Sequence, residues 1–254
     1  MDLTGKTALI VGATSAIARA TARLLAADGA ALYLMGRSTE RLEAARADLL
    51  AEFPTAAIGI HLGNSADPDA IALAATAAHE WRGRLDICLA TPADTVHGAL
   101  LSLDAEQFAS GVNGCLMPMF GAIRHCGPLM GEGGAIVCVS SIASDQSAYE
   151  RATYAIGKAA IERLVTVAAA ELGPRGIRVN AVRPGLTRAF KTGGMLAQDE
   201  LVASYLRRIP LGRTGESDDL ARVIRFLAGP ESAWVTGLSL AADGGQGLYG
   251  TPDP

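Results

Sequence analysis

Short apolar runs recur along this chain, and each is followed by a longer stretch with helical periodicity. The runs at 7–11 (TALIV), 31–35, 57–61, 85–90, 135–139, 177–182 and 238–241 read as buried strands. Between them, 17–28 reads as a helix ended by Gly29, and 39–53 as one stopped by Pro54. A long apolar helix is expected over 152–172. Strands alternating with helices demand a parallel sheet with right-handed crossovers and helices on both faces. The expected fold class is α/β, one doubly wound domain over residues 1–254. With half of its residues hydrophobic, the chain can fill such a core. Only 186–210, polar and holding Gly193-Gly194, breaks the rhythm and reads as a flexible loop.

Composition removes several partners. The net charge is −4 with no basic face, which argues against nucleic acid. No apolar run approaches the roughly 20 residues that span a bilayer. Met1-Asp2-Leu3 opens without a basic n-region, so a cytoplasmic location is expected. Cys88, Cys115, Cys126 and Cys138 lack CxxC or zinc spacing; reduced, buried thiols and no metal are expected.

In a doubly wound sheet, ligands lie beyond the carboxyl ends of the strands, where strand order reverses. VGATSAIARA (11–20) occupies that edge after the first strand. Gly12 supplies a tight turn, and Ser15, Ala16 and Ile17 open a helix whose free amides and dipole suit a pyrophosphate. Ala16 and Ala18 stand where such Rossmann-type turns normally carry two more glycines. Each adds one methyl, and neither removes the amides. A plain strand–turn–helix without ligand is the competing reading of this stretch. After the second strand, LYLMGRSTERL offers Arg37 and Ser38 where an NAD-preferring site has an acid. A guanidinium matches a 2′-phosphate, so NADP(H) is favoured over NAD(H). The alternative is that Arg37 caps a surface turn.

SSIASDQSAYERATYAIGKAAIERL (140–164) holds the densest chemistry. Ser141 follows a strand at the ligand edge, and Tyr154 and Lys158 are four apart on one helix face. A phenol titrates near 10, too high for a base at neutral pH, and a neighbouring ammonium favours the phenolate. Tyr154 is then the proton carrier, Ser141 holds the substrate oxygen, and Lys158 also reaches the nicotinamide ribose.

The order Gly12 turn, Ser141, Tyr154, Lys158 resembles the classical short-chain dehydrogenases/reductases. GIRVNAVRPG (176–185) and IPLGRTGESDDLARVIRFLAGPESAWVTGLSLAADGG (209–245) extend the likeness over nearly the whole chain. The resemblance implies hydride transfer between a nicotinamide and a carbonyl or secondary alcohol. It implies Asn113 as anchor of a water-borne proton relay. It also implies Asn64, Ala90, Pro184, Gly185 and Thr187 as further cofactor positions.

The sequence departs from that family at several cofactor positions. Ala90-Thr91-Pro92-Ala93 replaces Asn-Asn-Ala-Gly, Gly63 with Asn64 replaces an acid, Ala189 replaces a threonine, and Gly157 a serine. At about 1 kcal/mol per lost polar contact, two or three such losses weaken cofactor binding roughly tenfold to a hundredfold. Pro92, Thr95, Ile142, Ser144, Tyr149, Phe190, Met195 and Leu196 are candidates to line a pocket for a hydrophobic or cyclic substrate. Helix 152–172, apolar nearly all round, needs a second covering surface, which points to a homodimer or homotetramer. Two other readings stay open: a dinucleotide-binding regulatory or scaffold protein, and an epimerase or dehydratase on the same scaffold.

Overall fold

The apolar runs form one parallel sheet of seven strands, in the order β3-β2-β1-β4-β5-β6-β7. They are β1 (Thr7–Val11), β2 (Ala31–Gly36), β3 (Ile58–Leu62), β4 (Leu85–Ala90), β5 (Met130–Val139), β6 (Arg178–Pro184) and β7 (Ser239–Ala242). The computed structural model describes residues 1–146, 149–188 and 199–249. Its helices are α1 (Ala16–Ala27), α2 (Thr39–Glu52), α3 (Pro68–Arg82), α4 (Ala105–Cys126), α5 (Ala152–Leu172), α6 (Asp199–Leu206) and α7 (Ser217–Ala228).

Alternation along each strand builds two cores. Leu9 and Val11 join α3, α4 and α5 on one face, whereas Ala8 and Ile10 join α1, α2 and α7 on the other. A strand buried on both faces must be apolar throughout, which is why β1 and β4 show no period-2 signal. The cysteines at 88, 115, 126 and 138 are free and buried, as their apolar surroundings predict.

Chain order places the site. The chain runs outward from β1 to β2 and β3, then returns so that β4 pairs with β1 from the opposite side. The reversal therefore opens between the carboxyl ends of β1 and β4, above Gly12 and Thr91.

One expectation is corrected. Within 186–210, Asp199–Leu206 is helical, and Thr187 bridges to Gly215. The polarity of the segment hides a short amphipathic pattern, in which Leu201, Val202, Tyr205 and Leu206 share one face. Ala189, Phe190, Met195 and Leu196 lie outside the described residues.

Candidate active site

Gly12 has φ +79°, a left-handed conformation that favours glycine. Its amide and that of Ala13 both donate to Met35 O, at 3.1 and 2.9 Å, turning the chain away from the strand. Ser15 is the N-cap of α1, and its hydroxyl accepts from Ala18 N. Among the described residues, the amides of Ala16 and Ile17 have no acceptor, and they sit at the positive end of the helix. Those two donors are what a pyrophosphate needs. Ala18 is fully buried, so its methyl packs inside rather than obstructing the turn.

Across the cleft, Ala90 ends β4 and Thr91 takes over the tethering. Its hydroxyl lies 3.2 Å from Val11 O, 3.1 Å from Gly12 O and 3.2 Å from Ser15 Oγ. The hydroxyl thus ties the β4 end to the glycine turn, where the family uses an asparagine. Pro92 also packs there: a Cβ on Gly12 would stand 3.0 Å from its Cγ. Pro92, a candidate for the substrate pocket, thus packs against the glycine turn.

Arg37 follows β2 and is exposed; its Nη1 lies 3.9 Å from Asp94 Oδ2. Ser38 caps α2 by accepting from Arg41 N, which leaves its own hydroxyl proton free to donate. Asn64 closes a local turn, with Oδ1 accepting from Ala66 N, and is exposed. At Gly63 a Cβ would come within 2.9 Å of Met35 Cε, the flexible end of that side chain, and 3.3 Å from Ala70 Cβ. Gly157 is a correction as well. Its Cβ would lie 2.7 Å from Cys115 Cβ, so the missing side chain faces α4 and lets two helices meet; it is no lost cofactor contact.

Ser141 caps the short turn Ile142–Ser144, its hydroxyl accepting from Ala143 N. That turn packs against α5. Lys158, only 2% exposed, sends Nζ to Val139 O at 2.7 Å and lies 5.6 Å from the centre of the Tyr154 ring. A buried ammonium with one carbonyl partner keeps two donors available. Cys138 is fully buried, and burial pushes its thiol well above the usual range, so it does not compete as an acid or base. Asn113 lies exposed on α4, and among the described residues its side chain makes no hydrogen bond. Pro184 ends β6, Gly185 N reaches Ala242 O at 3.4 Å, and the Thr187 hydroxyl donates to Gly185 O. Of the other pocket candidates, Thr95 is bonded to Thr153 at 2.9 Å, Ile142 is buried and Tyr149 is exposed. Sequence reasoning missed the polar contacts of Asp94, Ser140, Glu162 and Arg183, whose partners are distant in the chain.

A groove of about 910 Å³ opens at the opposite, amino-terminal edge of the sheet, beside Gly5, Phe53 and Trp81. It contains none of these residues, which lie at the carboxyl edge where strand order reverses.

Comparison with known proteins identifies the family. The family model described as enoyl-(acyl carrier protein) reductase matches residues 12–246. A trans-4-hydroxycyclohexanecarboxylate dehydrogenase of Sinomonas cyclohexanicum is 32% identical, covering 95% of this chain and 92% of that protein. A short-chain type dehydrogenase/reductase from Mycobacterium ulcerans superposes with a TM-score of 0.95 at 30% identity, covering 100% of this chain and 94% of that one. A short-chain dehydrogenase from Burkholderia cenocepacia, solved in complex with NADP, gives a TM-score of 0.87 at 33% identity over 97% of this chain and 99% of that one. With its sheet order, its glycine turn and these relatives, the chain belongs to the classical short-chain dehydrogenase/reductase family of oxidoreductases acting on CH–OH and C=O groups.

Proposed function

We propose that the protein is a cytoplasmic, NADP(H)-dependent reductase or dehydrogenase of a carbonyl or secondary alcohol on a hydrophobic, cyclic body. One observation carries the reading. The Tyr154 ring and the buried Lys158 ammonium stand 5.6 Å apart, on a helix packed against the turn of Ser141, at the edge that holds the Gly12 turn. The free amides of Ala16 and Ile17 fit the pyrophosphate, Arg37 and Ser38 the 2′-phosphate, and Lys158 and Pro184 to Thr187 the nicotinamide end. The bound nicotinamide supplies or accepts the hydride at its C4 position.

The chain supplies the rest. Tyr154 Oη gives a proton to the substrate oxygen during reduction and takes it back during oxidation. Ser141 Oγ donates to that oxygen and fixes its position. Lys158 places a positive charge beside the phenol, and Asn113 anchors the water chain that refills the proton. The NADP-bound Burkholderia relative and the cyclic substrate in the name of the Sinomonas relative support the two finer choices. Ile156 and Val167 on α5 and Phe120 on α4 are exposed apolar groups, which supports a homodimer or homotetramer. Residues 1–254 act as one domain, with the described parts of the loop, 186–188 and 199–210, beside the substrate.

The test is fluorescence titration with NADPH and with NADH, followed by a panel of cyclic ketones and alcohols read at the reduced-nicotinamide absorbance. The panel includes trans-4-hydroxycyclohexanecarboxylate with NADP⁺. NADPH binding tighter than NADH, with turnover of at least one panel member, is expected. Equal or tighter NADH binding overturns the cofactor choice, and absence of any nicotinamide binding overturns the enzyme.

A further inference from the structure

We propose that Arg183 is a positioning residue, held between Glu162 and Asp145, that locks the turn carrying Ser141 to the helix carrying Tyr154 and Lys158. The proposal rests on the catalytic reading above and adds what holds its parts in register.

Three pieces of chain meet at the site: the end of β5, helix α5 and the end of β6. A polar chain on the inner side of Ser141 joins all three. Ser140 N donates to Val182 O at 2.8 Å, fixing the strand ends against each other. Ser140 Oγ reaches Lys158 O at 3.1 Å and Glu162 Oε1 at 2.9 Å, both on α5. Glu162 lies one turn beyond Lys158. Arg183 Nε stands 3.1 Å from Glu162 Oε1, and its Nη2 pairs with Asp145. The Nε–H is not aligned for a hydrogen bond to the carboxylate, so the Glu162 contact is an ion pair. Asp145 closes the turn that begins at Ser141, with its amide toward Ile142 O. Ser141 is thereby bracketed, with Asp145 after it paired directly to the Arg183 guanidinium and Ser140 before it tied to that guanidinium through Glu162.

The balance of charge explains why a cation belongs here. Glu162 and Arg183 side chains are only 21% and 17% exposed, so water screens them poorly and an unmatched partner is costly. Without Arg183, two carboxylates face each other, and their repulsion moves the more exposed one, Asp145, outward with its turn. Ser141 moves with it. Arg178, the buried arginine of β6, makes a useful contrast. It bonds Leu227 O, Gly229 O and Ser232 Oγ at the end of α7, and touches nothing in the site.

The test compares R183M with R183M/D145N/E162Q, in which the orphaned carboxylates are made neutral at nearly constant shape. For R183M we expect kcat to fall tenfold or more on the best panel substrate, with the NADPH Kd within twofold of the parent. The triple variant should recover at least threefold of that loss, which a mere packing defect would not allow. Crystal structures of parent and R183M give a readout independent of turnover, with Ser141 displaced from α5 in the variant. R183K, which keeps the charge without the fork, covers failure of R183M to fold and should lose less. The proposal is overturned by kcat within twofold of the parent, by equal losses in kcat and NADPH affinity, by no recovery in the triple variant, or by an unmoved Ser141. Failure of the catalytic reading itself would already show in the parent, as absent nicotinamide binding or turnover.

Discussion

The two halves of the cleft are built from different materials. On the side of β1, β2 and β4, the proposed cofactor contacts are mostly backbone amides and helix caps, and the charged side chains, Arg37 and Asp94, are 70% and 79% exposed. On the side of β5, α5 and β6, the working groups are side chains shielded from water, with Lys158 at 2% and Ser141 at 8% exposure. The difference shows where the chain tolerates change. Glycines have been replaced at the start of α1, where a helix N-terminus survives an added methyl, and an asparagine after β4 where the Thr91 hydroxyl makes the tether. No replacement falls on Ser141, Tyr154 or Lys158, where the proposed chemistry needs a particular atom at a particular place.

The sharpest way to break this contrast is Tyr154→Phe. Removing one hydroxyl on the side-chain half should lower kcat by roughly 10² to 10⁴, the usual worth of a positioned proton donor, with NADPH affinity unchanged. Steady-state rates beside a fluorescence titration check it, and an unaffected rate would place the proton carrier elsewhere.

On the backbone half, Gly12→Ala should matter most. The left-handed φ disfavours any Cβ, and the new atom would meet Thr91 Oγ1 at 2.7 Å. We expect a loss of about 1–3 kcal/mol in stability by denaturant titration, with cofactor affinity at least tenfold weaker. A wild-type titration curve would mean that the turn is not tightly packed.

The smallest effects belong to the exposed pair. β2 and β4 flank β1, so the Arg37–Asp94 contact bridges the two sides of the β1 end, and Asp94 competes with a 2′-phosphate for Arg37. Arg37→Ala should weaken NADPH about tenfold and leave NADH within twofold, consistent with loss of a charged hydrogen bond. Asp94→Asn should tighten NADPH by only about two- to fivefold, since exposed ion pairs are worth about 1 kcal/mol or less. Equal effects on NADPH and NADH would remove Arg37 from 2′-phosphate recognition.

Much of this was legible in the residues themselves. Helix 152–172 coincides with α5 because its apolar pattern is unbroken from end to end. The strands were legible because buried parallel strands are short apolar runs. β5 begins five residues earlier than expected, at Met130, because its first part is a glycine-rich stretch, GEGG, that hydrophobicity does not mark. The Arg37–Asp94 pair was illegible, since its members become neighbours only once β4 returns beside β1. Glu162 and Arg183 were hidden in the same way: one reads as the polar side of a helix, the other as the residue before a Pro-Gly turn. Gly157 looked like a lost contact because its neighbour on α4 is not visible in the chain.

The most direct test of the central claim is a crystal structure with NADP⁺ bound. The pyrophosphate should rest on the amides of Ala16 and Ile17, with the nicotinamide C4 facing the Tyr154 hydroxyl beside Gly185. An empty turn above Gly12, or a nicotinamide ring remote from Tyr154, would contradict it.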